Sequence, residues 1–156
     1  MYEVLSPIID AYIDYAKQRR VQLLYEKAIT SKDGTTGGEQ EFVVVDVIGV
    51  DKEEYIFVVE AKRTSMPLAL KQCLLSMMDA QLHNQGGKVY GFITTGEDWR
   101  MIEYDGRQFR KSEKVNILFG NMGSEKDRWM ETCSVFVDMV FTALSTGGKM
   151  MGLLKN

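Results

Sequence analysis

The chain is poor in several of the residues on which common chemistries depend. One histidine, His83, among 156 residues excludes histidine-rich metal centres and HExxH motifs, which need at least two imidazoles. The two cysteines, Cys73 and Cys133, lie far apart within apolar helical patterns. They form neither a CxxC pair nor a disulfide framework and read as buried thiols of an intracellular protein, cytoplasmic or nuclear. A Cys73–His83 dyad is set aside, because ten helical residues separate the two by about 15 Å. No apolar run approaches the ~20 residues of a membrane span, and no signal peptide precedes Pro7. GxxxxGK[ST], GxGxxG and the kinase motif set are also missing. The net charge of −3 gives no overall attraction to nucleic acid. Phosphate binding would need a local basic patch or bound cations.

What is present describes an ordinary globular chain, with 45% hydrophobic and 26% charged residues. Its length fits one domain, 1–156, with a core that needs no staples. The ten methionines fall mainly on helical stripes and read as core filler. The most informative stretch is YIFVVEAKR, Tyr55 to Arg63. Its unbroken apolar run predicts a strand buried on both faces, which delivers Glu60 and Lys62 at its far end. Residues two apart share a face, and buried charges need a partner, water or a metal. The plain alternative is that the strand surfaces at Glu60 and leaves Lys62 and Arg63 solvated.

Along the chain, Ser6-Pro7 reads as a helix start, and Ile9, Tyr12, Ile13, Ala16, Leu23 and Leu24 extend the helix from Pro7 to Leu24. Its polar side carries Lys17, Arg19 and Arg20, a solvated face by default and one candidate phosphate-contacting cluster. A short strand is expected over 25–30, then a flexible turn, Ser31 to Gln40. Phe42 to Val50 reads as a buried strand interrupted by Asp46. A hairpin tip centred on Lys52 would pair Asp46 with Val58 and Val44 with Glu60, bringing Asp46, Glu60 and Lys62 onto one face. A one-residue shift would send Asp46 to the other face.

A helix is expected from Pro67 to His83, with Leu70, Cys73, Leu74, Met77 and Met78 as its core stripe. Gln72, Ser76, Asp79 and His83 form its polar stripe, exposed by default. Gln72 lies close enough to the strand end to reach back to it. Strands follow over 88–95, 99–104 and 108–118, the last two joined at Asp105-Gly106; Arg100, Arg107, Arg110, Lys111 and Lys114 make this the most basic region of the chain. A helix from Glu125 to Leu144 has Trp129, Cys133, Phe136, Val137, Val140 and Leu144 as its buried stripe. The apolar tail, 146–156, is expected to pack on the core, to self-associate or to lead into a longer protein. The order of elements makes a mixed α/β fold, a central sheet flanked by helices.

Two carboxylates beside a lysine suit a hard divalent cation such as Mg²⁺, whose remaining positions go to water and phosphate oxygens. Asp46, thirteen intervening residues, then Glu60-Ala61-Lys62 resembles the signature of the PD-(D/E)XK, or restriction-endonuclease-like, nuclease superfamily. The stretches VVEAKR, KQCLLSM and VYGFITTG followed by WRM are also similar to nuclease-like domains of large fungal proteins, including spore-killing meiotic drivers. The resemblance covers Phe42 to Tyr104 well and the flanks by element order. It implies an αβββαβ core with an extra hairpin and C-terminal helix, and cleavage of phosphodiester bonds in nucleic acid, DNA rather than RNA. It further implies Mg²⁺ or Mn²⁺ at Asp46 and Glu60, and catalytic roles for Lys62 and Gln72. Arg19, Arg20, Arg63 and Lys71 would contact nucleic acid, and an acid from the first helix, Glu3, Asp10 or Glu26, would assist. A homodimer is an expected assembly. The competing expectations are an inactive nuclease-like module for binding or assembly, and an RNA-cleaving nuclease.

Overall fold

The computed structural model describes residues 2–16, 21–25, 28–30, 37–39, 42–49, 52–61, 66–95, 97–117 and 126–148. Its elements are α1 (Tyr2–Ala16), β1 (Val21–Tyr25), β2 (Ala28–Thr30), β3 (Gly37–Glu39), β4 (Phe42–Gly49), β5 (Lys52–Ala61) and α2 (Met66–Asn84). After these come β6 (Val89–Thr94), β7 (Asp98–Tyr104), β8 (Phe109–Lys111), β9 (Val115–Asn116) and α3 (Lys126–Thr146). A seven-stranded sheet has the order β1-β4-β5-β6-β7-β8, with β9 also on β7, while β2 and β3 form a separate two-stranded ribbon. The β5–β6 pair is parallel and the other pairs are antiparallel. A parallel neighbour requires a crossover, and α2 supplies it. The mixed α/β class expected from the sequence is the one observed.

Each face of the sheet has its own core. On one side Leu5, Ile9 and Tyr12 of α1 and Phe136, Val140 and Leu144 of α3 meet Phe42, Val44, Phe57, Val59, Phe92 and Trp99. The Tyr12 hydroxyl donates to the Leu144 carbonyl at 3.2 Å, tying the two helices together. On the other side Ala69, Cys73, Met77 and Ala80 of α2 pack on Val43, Val45, Tyr55, Val58, Val89, Ile93 and Ile102. Small residues set this contact distance. A Cβ at Gly91 would lie 2.5 Å from both Cys73 Sγ and Met77 Sδ.

Several expectations change here. The first helix runs Tyr2–Ala16 with Pro7 inside it, and Leu23 and Leu24 belong to β1. Consecutive apolar residues satisfy either period, and pairing with β4 decides for the strand: Leu23 opposite Val44, Leu24 opposite Val43. Part of the expected turn, 37–39, is a strand paired with β2. The last expected strand, 108–118, is two short ones, β8 and β9. The core line of α2 is Ala69, Cys73, Met77 and Ala80, whereas Met78 is 43% exposed. Ser76 and Asp79, expected in solvent, are buried; the β2–β3 ribbon packs on α2 and supplies cover beyond the sheet. The outer face of α2 keeps Leu68, Leu75, Met78 and Leu82 exposed. The side chains of Trp129 and Cys133 and the tail after 148 lie outside the described residues.

Residues 84–86 end α2 as expected: the Gly86 N–H donates to the Gln81 carbonyl at 3.2 Å, and Gln85 takes φ 60°. Asn84 does more than mark this end. Its Oδ1 accepts from the Tyr55 N–H and its Nδ2 donates to the Tyr55 carbonyl, both at 2.8 Å. The parallel ladder begins only at Phe57 and Tyr90, so the Asn84 amide occupies the place of a neighbouring strand at Tyr55. Asn84→Ala is expected to lower stability by ~2–3 kcal/mol, since two buried backbone groups lose their partner, and denaturant unfolding measures it. Gly91→Ala is expected to cost ~1–3 kcal/mol by overpacking, with part of the loss recovered in a Cys73→Ala background. An additive double mutant would show that the Gly91–Cys73 contact is not the cause.

Candidate functional site

The site begins with the register of β4 on β5. Phe42 pairs with Val59, Val43 with Val58 and Val44 with Phe57, but Val45 pairs with Tyr55 and Asp46 with Glu54. Ile56 is therefore an extra residue, a β-bulge, and Ile56 and Phe57 both face the α1–α3 side. A second shift lies between Val47 and Gly49, with Gly49 opposite Lys52, so the hairpin tip is not centred on Lys52. The expected pairs, Asp46 with Val58 and Val44 with Glu60, do not form. With Gly49 opposite Lys52 the turn comes earlier than expected, which displaces the partner of Asp46 by four residues and that of Val44 by three, the one-residue difference being the bulge at Ile56.

The consequence falls on the two carboxylates. Asp46 alternates with Val44 and Phe42 and sits opposite Val21, on the α1–α3 side. Glu60 alternates with Val58, on the α2 side. Asp46 also lies four residues along β4 from Phe42, about 13 Å of strand, while Glu60 directly follows the partner of Phe42. Each is buried, at 5% exposure, but they occupy opposite faces and different levels. The Asp46–Glu60 pair does not fit a single ion.

Glu60 lies where β5 ends, next to Ile93 of the parallel strand β6 and beneath the first half of α2. Cys73 reports this neighbourhood: burial first, and then the charge of Glu60, push its thiol well above the usual range. Such a thiol stays protonated and is no nucleophile at neutral pH. Of the α2 residues, Cys73 belongs to the line that meets the sheet. Gln72 is half-buried and about 100° around the helix from that line, on the flank toward Ser76. Lys71 is exposed on α2.

Lys62, Arg63, Arg19, Arg20 and Glu26 lie outside the described residues. Glu3 is a residue of α1. Asp10 is exposed and lines a cleft of about 260 Å³ with Ile9, Ile13, Val21 and Leu23, which puts it on the Asp46 side of the sheet and not with Glu60. No group of three or more His, Cys, Asp or Glu placed to hold a metal occurs among the described residues. Among the described residues no helix is long and apolar enough to cross a membrane.

At the level of Glu60 the sheet carries one member of the basic region, Arg100. Ile93, the partner of Glu60, pairs in turn with Arg100 of β7. Trp99 and Met101 pack toward α1 and α3, and Ile102 and Tyr104 toward α2. Arg100 therefore shares the face of Glu60. Alternation within WRMIEY could have shown that Arg100 and Ile102 share a face, but only the pairing shows which face. Comparisons with protein-family models, with curated proteins and with solved structures find no match for this chain.

Proposed function

We propose that the chain is a divalent-metal-dependent nuclease domain that hydrolyses phosphodiester bonds, in DNA rather than RNA, with its chemistry at Glu60 and Lys62. The supporting observation is the burial of Glu60 at the end of β5, against a parallel neighbour and just before the crossover helix. A carboxylate buried at the end of a strand, beside a lysine two residues on in the sequence, is the kind of oxygen ligand a hard divalent cation takes. The succession α1, β1, β4, β5, α2, β6, with the four strands adjacent in that order, agrees with the αβββαβ core that the resemblance implies.

In this reading the second carboxylate is not Asp46. The strand position beside Glu60 is at the Phe42 end of β4, and the chain carries Glu41 immediately before Phe42. Glu41 itself lies outside the described residues. Glu60 and Glu41 would hold Mg²⁺ or Mn²⁺, which takes one or two protein carboxylates and otherwise water and phosphate. The bound ion would supply Lewis acidity toward a phosphodiester and a more acidic water. Lys62, two residues beyond Glu60, would stabilise the charge gathering on the phosphoryl oxygens.

The rival reading, a nuclease-like module for assembly, draws on the exposed stripe Leu68, Leu75, Met78 and Leu82 of α2, an apolar surface of the kind that marks interaction sites. One set of variants separates the two. Mg²⁺ or Mn²⁺ is expected to raise the melting temperature of the wild type and of Lys62→Ala, but not of Glu60→Gln. Cleavage of linear and circular DNA is expected to fall by about 10²–10³-fold in Lys62→Ala. Metal-indifferent melting together with uncut DNA and RNA would establish the assembly module. For the second carboxylate, Glu41→Gln is expected to abolish the metal-induced shift and Asp46→Asn to retain it. The opposite outcome would return the metal to Asp46.

A further inference from the structure

The row across the sheet at Glu60 continues to Arg100. Glu60, Ile93 and Arg100 pair in succession, so about 10 Å, two strand spacings, separates the backbones of the acid and the base. Ile93 between them is buried. Helix α2 packs on β5 and β6, and Arg100 is one strand beyond. It is half-buried, and its Nε is buried without a hydrogen-bond partner among the described residues.

The other basic residues nearby are differently situated. Lys88 is held by Glu103 at 2.8 Å, and that contact raises its pKa. Arg107 and Arg110 are exposed around the 105–108 turn, where Asp105 accepts from the Arg107 and Gln108 N–H groups. Arg100 combines a desolvated guanidinium nitrogen with a position on the Glu60 face. A buried donor without an acceptor is unfavourable, and a guanidinium is matched in shape and charge by two oxygens of a phosphate.

The chain between β8 and β9 is pinned to β7 by the Ser112 N–H on the Met101 carbonyl and by the Met101 N–H on Ser112 Oγ, both at 2.9 Å. Lys114 is exposed next to Val115, the partner of Trp99. This places a second cation near Arg100 on the side away from Glu60.

We propose that Arg100 binds a backbone phosphate of the nucleic acid substrate, next to the phosphodiester that reacts at Glu60, and that Lys114 continues this phosphate track toward the sheet edge. The proposal rests on the nuclease reading. It adds the direction in which the substrate leaves the site, across β6 and β7.

The test uses the full chain with Arg100→Gln, Arg100→Lys and Lys114→Gln, and Arg110→Gln as a control. Binding of a fluorescent DNA duplex is measured by anisotropy in EDTA across a salt series, and cleavage is measured with Mg²⁺ or Mn²⁺. Arg100→Gln is expected to weaken binding roughly tenfold or more and to lower the log–log salt slope by about 1. KM should rise, while the metal-induced melting shift stays as in the wild type. Arg100→Lys should keep the salt slope and recover only part of the affinity, because lysine keeps the charge but not the fork. Lys114→Gln should lower the slope with a smaller affinity loss, and Arg110→Gln should change neither. A wild type that binds and cuts, with Arg100→Gln binding at unchanged affinity or salt slope, would overturn the Arg100 role and leave the nuclease intact. A wild type that neither binds nor cuts would overturn both. A loosened fold in Arg100→Gln is recognised by a lowered melting temperature, and Arg100→Lys then decides: a partial affinity loss at the wild-type salt slope supports the role, and wild-type affinity overturns it.

Discussion

The single residue inserted into β5 at Ile56 governs how the two faces of this sheet are used. Side chains alternate with a period of two, so one extra residue exchanges the faces for everything beyond it. Before the bulge Tyr55 faces α2; after it Val58 and Glu60 do. The insertion is held from both sides. Asn84 at the end of α2 bonds both backbone groups of Tyr55, and beyond α3 a Cβ at Gly147 would come within 2.6 Å of Ile56 Cγ2. Two helices from opposite layers thus close on adjacent residues of one strand. Glu60 points into the α2 layer because that junction leaves it no other face.

The parallel pairing of β5 and β6 follows from the same geometry. Since α2 must return over the sheet to start β6, its first half lies above the end of β5 and its last residue reaches the start of β5. The helix meets the sheet through Ala69, Cys73 and Ala80, opposite Gly91, so the two approach closely and exclude bulk water from the Glu60 neighbourhood. The raised pKa of Cys73 expresses that environment, with desolvation as its larger cause and the carboxylate as the smaller. A low-dielectric setting strengthens any electrostatic interaction a substrate or ion makes there.

Much of this could be read from the residues themselves. The apolar runs of β4 and β5, the Asn-Gln-Gly-Gly end of α2 and the Asp-Gly turn each carry a local signal with one physical meaning. The first helix boundary could not be read, because Val21 to Leu24 suits helix or strand until β4 is beside it. The bulge could not be read either: Ile56 and Phe57 lie in a run that is apolar on both faces, so no change of pattern marks where alternation slips. The early turn, with Gly49 opposite Lys52, and this slip together set Asp46 and Glu60 on opposite faces. The packing of the β2–β3 ribbon on α2 could not be read either, because its short strands GGE and AIT have almost no hydrophobic pattern. Arg100 was visible as a charge, but its relation to Glu60 exists only through two successive strand registers.

The two margins of the sheet differ in kind. At one margin β8 is three residues long and carries Arg110 and Lys111, both exposed. At the other, β1 has the sequence VQLLY with no charge and is hydrogen-bonded to β4 alone among the described strands. Unprotected strand margins template further strands, and charged short ones resist it. The β8 margin is therefore guarded by both shortness and charge, two deterrents to strand addition that β1 does not carry.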